Sequence, residues 1–386
     1  MKYCKSLTLW LSFQNHDTES YMIAENESKI KILIIIPSLQ CGGSEKYAAV
    51  LCNNINTHKF TVTLAIVNNE TPFYNITNKA VTVIDLKAKQ VRNSGFKIRR
   101  IIKQLQPDIV YTNANHLNLF LAIFKNFIAK KTIVVARESS VVSNNSKRTK
   151  FPVSYNWLLK KYYRRIDYFV CQSQYMQQDL IEHYNIPAQK TVVINNPAQK
   201  NNSIIKTPLQ NKFVTVARLS AEKGIDRLIR SVAQLTIPFV YHIIGDGDQK
   251  EALQHLIEQL HLQNKIFLEG KKDSPFAGME DAALFLMGSY YEGFPNTLLE
   301  AGALGIPAVA FAAPGGINEI ISEYENGFLV AGNDEQKFRL TIEKAIATDF
   351  NRQQIKENTL KKFPLKTIVK TTEDLFTQLY KKAKPN

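Results

Sequence analysis

The chain alternates short, wholly apolar runs with longer stretches of helical periodicity, and it does so twice. KILIII (Lys31–Ile36) stops at Pro37 and passes through Gly42-Gly43 into a stretch with Tyr47, Val50 and Leu51 on one helical face. Strand-like runs follow at 61–67, 81–86, 109–112, 132–136, 168–171 and 192–194, with helical stretches at 96–105, 117–129, 155–165 and 176–183 among them. A strand that is apolar at every position cannot leave one face in water, so these runs predict a mainly parallel sheet with helices on both sides. From Pro197 to Gln210 the periodicity lapses into AQKNNSIIKTPLQ, and then the alternation restarts. Strand-like runs lie at 213–217, 240–244, 266–268, 282–287, 307–311 and 327–330, and helical stretches at 225–235 and 249–260. A helical tail closes the chain at 335–347, 351–363 and 365–382. The prediction is an α/β protein of two Rossmann-like halves.

Length agrees with that division, since 386 residues exceed one ordinary core. The expected domains are 30–197 and 212–364, joined by a linker at 198–211, with a last helix over 365–386. Residues 1–29 read as a disordered leader, with Met22 a candidate start. The apolar core of KYCKSLTLWLSF is too short and too interrupted for a secretion signal. No apolar run reaches the roughly 20 residues of a membrane span. Cys4, Cys41, Cys52 and Cys171 show neither paired nor metal-type spacing, so reduced thiols are expected.

The net charge of +15 is unevenly placed. Residues 30–195 carry 23 Lys+Arg against 8 Asp+Glu, whereas 196–386 carry 23 against 22. Two clusters dominate, Lys87–Lys103 and Lys147–Arg165, and the second interleaves Phe151, Tyr155, Trp157, Tyr162 and Tyr163 with its cations. Basic and aromatic residues together suit an anionic membrane surface, and a solvated basic face over packed aromatics is the plainer alternative. No recognition motif supports nucleic acid as a partner.

The chemistry concentrates in SYYEGFPNTLLEAGALG (Ser289–Gly305). An apolar run, a Gly-Phe-Pro-Asn turn and a helical stretch follow one another there, the unit that holds nucleotides at the carboxyl ends of strands. Asn296 or Thr297 is placed to cap the helix, whose positive end would face a diphosphate. Glu292 would stand before the helix and Glu300 within its first turns, one for a sugar and one for a ribose diol. Upstream, Arg218 and Lys223 follow the first strand of the second half, where cations can neutralise a leaving diphosphate. No Asp-x-Asp metal site, Ser-His-Asp set or Cys-His set is evident, so metal or acyl-transfer chemistry has no support in the sequence.

VARLSAEKGIDRLI, HIIGDGDQ, SYYEGFPNTLLEAGALGIPAVA and PGGINEII, with CGGSEKYA and VCQSQYM nearer the front, occur in an order and spacing that resembles the retaining nucleotide-sugar glycosyltransferases of family four. The likeness spans about residues 30–380. It implies the GT-B architecture, two facing Rossmann-like domains with the active site between them, and a final helix crossing back. It implies that Glu292 binds donor-sugar hydroxyls, that Gly293 and Phe294 approach the sugar or phosphate through backbone N–H groups, and that Pro295, Asn296 and Thr297 belong to the same loop. Glu300 would hold the ribose, and Arg218 and Lys223 the diphosphate. Gly42, Gly43 and Gly245 match places where the chain comes close to the donor or acceptor. His116, in TNANH, matches a histidine near the reacting sugar, and Arg137 and Glu138, in ARESS, resemble a pair in hexosamine transferases. The resemblance further implies a uridine nucleotide sugar as donor, no metal or other cofactor, a lipid-linked or cell-surface glycan as acceptor, and a cytoplasmic enzyme on the inner membrane face.

Three departures or open points remain. Gly288 stands where proline is frequent, which loosens the turn. DSPFAGMEDAALF lacks a clear aromatic helix signal, so the seat of the base is open. Asn195-Asn196-Pro197 resembles the linker entry of the family and reads equally as a simple turn. Against transfer stand two other readings, a nucleotide-sugar epimerase of the same fold and a non-catalytic binding protein.

Overall fold

The computed structural model describes residues 29–147, 149, 151–200 and 204–384. The leader expected over 1–29 lies outside them apart from Lys29, as do Arg148 and Lys150 of the second basic cluster.

The first sheet has seven parallel strands: β1 (Ile30–Ile36), β2 (Phe60–Ile66), β3 (Thr82–Asp85), β4 (Ile109–Thr112), β5 (Ile133–Arg137), β6 (Tyr168–Cys171) and β7 (Thr191–Val193). Their spatial order is β3-β2-β1-β4-β5-β6-β7. The KILIII run is continuous because both of its faces are buried. Leu33 and Ile35 enter one core with helices α2 (Gly95–Leu105), α3 (Asn115–Phe124), α5 (Pro152–Tyr162) and α6 (Gln174–Tyr184). Ile32, Ile34 and Ile36 enter the opposite one with helix α1 (Gly43–Asn54). A short helix that the periodicity did not predict, α4 (Val142–Lys147), lies between β5 and α5.

The second sheet has six parallel strands: β8 (Leu209–Val216), β9 (Val240–Ile244), β10 (Ile266–Gly270), β11 (Ala282–Met287), β12 (Ala308–Phe311) and β13 (Gly327–Val330), in the order β10-β9-β8-β11-β12-β13. Alternate residues of β11 again divide between two cores, Leu284 and Leu286 on one side, Phe285 and Met287 on the other. Helices α7 (Ile225–Ala233), α8 (Lys250–Gln259) and α11 (Glu335–Ile346) cover one face. Helices α9 (Asn296–Ala303), α10 (Ile317–Ile320) and α12 (Arg352–Lys362) lie towards the other. β8 begins at Leu209, inside the stretch read as linker, because Leu209 pairs with Ala282 at the start of β11.

The last helix, α13 (Leu365–Ala383), packs on the first sheet. Phe376 is fully buried there, its ring 5.2 Å from Tyr111 and 6.3 Å from Phe60 between centroids. The Tyr47 hydroxyl and Thr372 Oγ1 lie 3.1 Å apart, and the Asn56 N–H donates to Glu373 Oε1 at 2.7 Å. The chain thus crosses between the sheets twice, and the crossings touch: the Ala198 N–H donates to the Phe363 carbonyl at 2.9 Å.

Candidate active site

Each sheet reverses its strand order once, between β1 and β4 in the first and between β8 and β11 in the second. Connections on either side of such a point leave towards opposite faces, which opens a crevice beyond the carboxyl ends of the two strands. Gly42-Gly43 follow β1, Asn113–His116 follow β4, Arg218–Lys223 follow β8 and Gly288–Pro295 follow β11. The crevices face one another and enclose a cavity of about 790 Å³. Gly42, Gly43, Arg218, Lys223, Gly245, Glu292, Gly293, Phe294, Pro295, Asn296, Thr297 and Glu300 all line it.

Two helix N-termini, one from each domain, open on this cavity. α9 starts at Asn296 behind Pro295, and α1 at Gly43 behind Gly42, and neither has a side-chain cap. The expected capping by Asn296 or Thr297 is therefore corrected. Asn296 lies inside the helix, and its Nδ2 instead donates to the Gly43 carbonyl across the cleft at 3.3 Å. A side chain at Gly43 would come within 3.1 Å of that same nitrogen. Uncapped first-turn N–H groups and the positive ends of two helices give this space the electrostatics that suit an anion.

The loop that carries Glu292 rests on Pro314-Gly315-Gly316. The Glu292 N–H donates to the Pro314 carbonyl and the Gly316 N–H to the Gly293 carbonyl, both at 2.9 Å. Gly315 has φ +119°, and a Cβ there would lie 1.5 Å from the Glu292 carbonyl oxygen, so only glycine fits. Glu292 Oε1 accepts from Lys223 Nζ and from the Ser289 hydroxyl, each at 2.6 Å. Glu300, on α9, pairs with Lys46 of α1, which links the domains across the cavity. Arg218 is exposed in the cleft and forms no ion pair among the described residues.

Other expectations change. Gly288 does not loosen its turn: a Cβ there would lie 2.3 Å from the Gly224 carbonyl oxygen, and that close backbone contact is what excludes a larger residue. Arg227, which the sequence reading did not single out, holds this turn. Its Nε donates to the Gly288 carbonyl at 2.7 Å and its Nη2 to the Ser289 carbonyl at 2.6 Å, between the rings of Tyr290 and Phe311. Its place in the first turn of α7 was the available signal.

His116 does not line the cavity. It lies exposed in the first turn of α3, and the protein around it displaces enough water to lower its pKa. Arg137 and Glu138 are also corrected as acceptor contacts. Both are fully buried, because the chain after β5 turns Ser139 and Ser140 towards the cavity instead. The Arg137 guanidinium stacks on Tyr47 at 3.6 Å and donates to Asn196 Oδ1 at 2.6 Å. Asn196 Nδ2 in turn donates to the Phe294 carbonyl at 2.9 Å. The linker entry is thus more than a turn: Asn196 ties the buried arginine of one domain to the Glu292 loop of the other. Burial pushes the Glu138 carboxyl up to about 8, against the opposing hydrogen bonds of Asn118 and Tyr163, and its Oε2 has no hydrogen-bond partner among the described residues.

The cysteines within the described residues are free: Cys41 is exposed, and Cys52 and Cys171 are buried. Among the described residues no three His, Cys, Asp or Glu side chains are grouped to hold a metal ion, and no helix is long and apolar enough to cross a membrane. Lys271, Lys272 and Pro275, after β10, also line the cavity, with Lys271 over the Phe73 ring of the first domain at 5.0 Å.

Two facing Rossmann-like domains with a cleft between their switch points define the GT-B architecture. Residues 198–362 match the family Glycosyl transferases group 1, and residues 41–199 match Glycosyltransferase Family 4. One similar protein is the N-acetylgalactosamine-N,N'-diacetylbacillosaminyl-diphospho-undecaprenol 4-alpha-N-acetylgalactosaminyltransferase of Campylobacter jejuni, 26% identical over 341 residues, 84% of this chain and 93% of the relative. Another is the amylovoran biosynthesis glycosyltransferase AmsD of Erwinia amylovora, 26% identical over 332 residues, 83% of this chain and 91% of the relative. The crystal structure of Anabaena Alr3699/HepE in complex with UDP superposes with a TM-score of 0.71 at 20% identity, covering 90% of this chain and all of the other. The chain belongs to the group-1 glycosyltransferases of family four, and it is a glycosyltransferase of the GT-B fold.

Proposed function

We propose that this enzyme transfers a hexose or N-acetylhexosamine, with retention, from a nucleoside-diphosphate sugar to a lipid-linked glycan during assembly of a cell-surface polysaccharide. The observation that carries the donor side is the pair of uncapped helix N-termini facing one cavity with Lys223 and Arg218 beside them. A diphosphate there meets backbone N–H groups from both domains and two side-chain cations, which offset its charge without a metal. Glu300 holds the ribose diol after Lys46 gives way or moves onto a phosphate. Glu292, oriented by Lys223 and Ser289, takes donor-sugar hydroxyls. The bond from the sugar C1 to the phosphate oxygen breaks as the acceptor oxygen bonds C1 on the same face, and the acceptor proton passes to the departing phosphate. The protein supplies position and charge stabilisation. Lys271 and Lys272 border the space for the base.

The similarity to transferases of a diphospho-undecaprenol glycan and of amylovoran supports the acceptor class. A peripheral position on the inner membrane face is supported by charge and by placement. Both basic clusters belong to elements that cover one face of the first sheet, α2 and α5. That face carries the exposed Phe96, Phe124, Phe151 and Trp157.

The test is thermal stabilisation by UDP-, GDP- and ADP-sugars, with Glu300→Ala as control. A ligand at 100 times its Kd stabilises by about 2.7 kcal/mol. One nucleotide class is expected to shift the wild type and to lose most of that shift in the variant. No shift with any class, with and without a polyprenyl-diphosphate glycan, overturns the reading.

A further inference from the structure

A second cavity, of about 810 Å³, lies in the first domain away from the cleft. It opens between α2 and the end of α3 with the turn at Lys125–Phe127. Ile98, Ile102, Phe120 and Leu121 form its apolar interior. At its mouth Phe96 is 89% exposed and Phe127 64% exposed. Aromatic rings left in water around an apolar hollow of this size mark a binding surface. Among the described residues four cations, Arg92, Arg99, Lys103 and Lys131, also line the cavity, and no Asp or Glu does. Arg99 lies over the Phe127 ring at 5.7 Å, so charge and apolar surface meet at the rim.

An apolar channel with a cationic rim is complementary to an acyl chain with an anionic head. A second copy of the chain on a twofold axis would set one cationic rim against another, and so fits poorly. We propose that this groove seats one acyl chain of an anionic phospholipid, with its phosphate held by Arg99 and Lys103. The inference rests on the membrane-surface reading above and adds to it a discrete site for a single lipid molecule. Such a site would fix the height and tilt of the first domain on the bilayer, which attraction by a diffuse basic patch does not do.

The probe is myristoyl-lysophosphatidylglycerol below its micelle-forming concentration, titrated calorimetrically into the full chain, with myristoyl-lysophosphatidylcholine as the comparison. Saturable one-to-one binding is expected for the glycerol lipid and at least tenfold weaker binding for the choline lipid. Ala129→Trp fills the groove from an exposed position on its wall. It is expected to weaken binding at least tenfold, as is the surface variant Phe96→Ser/Phe127→Ser; unchanged circular dichroism keeps the comparison on binding. Flotation on phosphatidylglycerol vesicles reads the surface separately. Wild type that floats but does not bind the monomeric lipid overturns the groove and leaves the membrane reading. Wild type that neither floats nor binds overturns both. Equal binding of the two lipids overturns the anionic assignment, and a dimer that Ala129→Trp dissolves overturns the lipid in favour of a second copy.

Discussion

Glu138 shows at the scale of one residue how burial separates a polar group from the role its position invites. It follows the end of a strand, beside the cleft in sequence, yet its carboxyl is sealed among Asn118, Tyr163 and the buried Asp179. With its folded pKa raised to about 8, the unfolded chain gives up this proton first. Between the ordinary carboxylate range and pH 8 the unfolded state therefore binds fewer protons, and stability falls as pH rises. The full shift corresponds to roughly 5 kcal/mol. Glu138→Gln keeps the shape and removes the titration. Denaturant unfolding at pH 5 and pH 8 is expected to show a smaller loss in the variant than in the wild type. An equal loss would mean that Glu138 is ionised in the folded protein. Arg137 belongs to the same scale: its identity was legible, and its burial under Tyr47 was not.

At the scale of elements, the loop after β11 is placed by what lies under it. Pro314-Gly315-Gly316 and Arg227 come from two other connections and grip its backbone, so the Glu292 side chain is aimed by contacts far away in sequence. Gly315→Ala forces a Cβ into the Glu292 carbonyl at a φ that disfavours any side chain. The expected cost is more than about 1 kcal/mol. With the loop displaced, transfer activity is expected to fall at least tenfold while the fold survives. Calorimetric melting together with a radiolabelled transfer assay checks both, and near-normal activity in the variant would show that the loop tolerates the shift. The strands at 109–112, 168–171, 240–244, 282–287 and 327–330 were legible to the residue, because turn residues bound their apolar runs. α4 and α10 were not, since six and four residues are too few to show a helical period.

At the scale of the molecule, α13 binds the two domains into one closed path of chain. Its Phe376 plugs the core beneath β2 and β4. Phe376→Ala is expected to cost about 3–5 kcal/mol and to destabilise the first domain although the change lies at the far end of the chain. Hydrogen exchange that rises in β1 and β2 of the variant would confirm this, and exchange confined to α13 would refute it. Cleft closure belongs here too. Lys46 reaching Glu300 and Asn296 reaching Gly43 hold the domains together at the place where the donor is proposed to bind. The same scale gathers two basic clusters that are far apart in sequence onto one face of one sheet.

The amino-acid sequence by itself determined the alternation of strands and helices, the pair of Rossmann-like halves, the surplus of positive charge in the first of them, and the motif segments that end at the cleft. These follow from local causes: periodicity, turn residues and composition act within a few residues of chain. Which groups in those segments face the cavity was decided only by the tertiary structure. Asn296 leaves the cap for the opposite domain, His116 stays outside, Arg137 and Glu138 sink beneath, and Arg227 rises to importance as a support. The physical reason is that orientation at a strand end is set by backbone contacts from other connections, as at Gly315 and Gly288, and such contacts join residues that no local pattern relates.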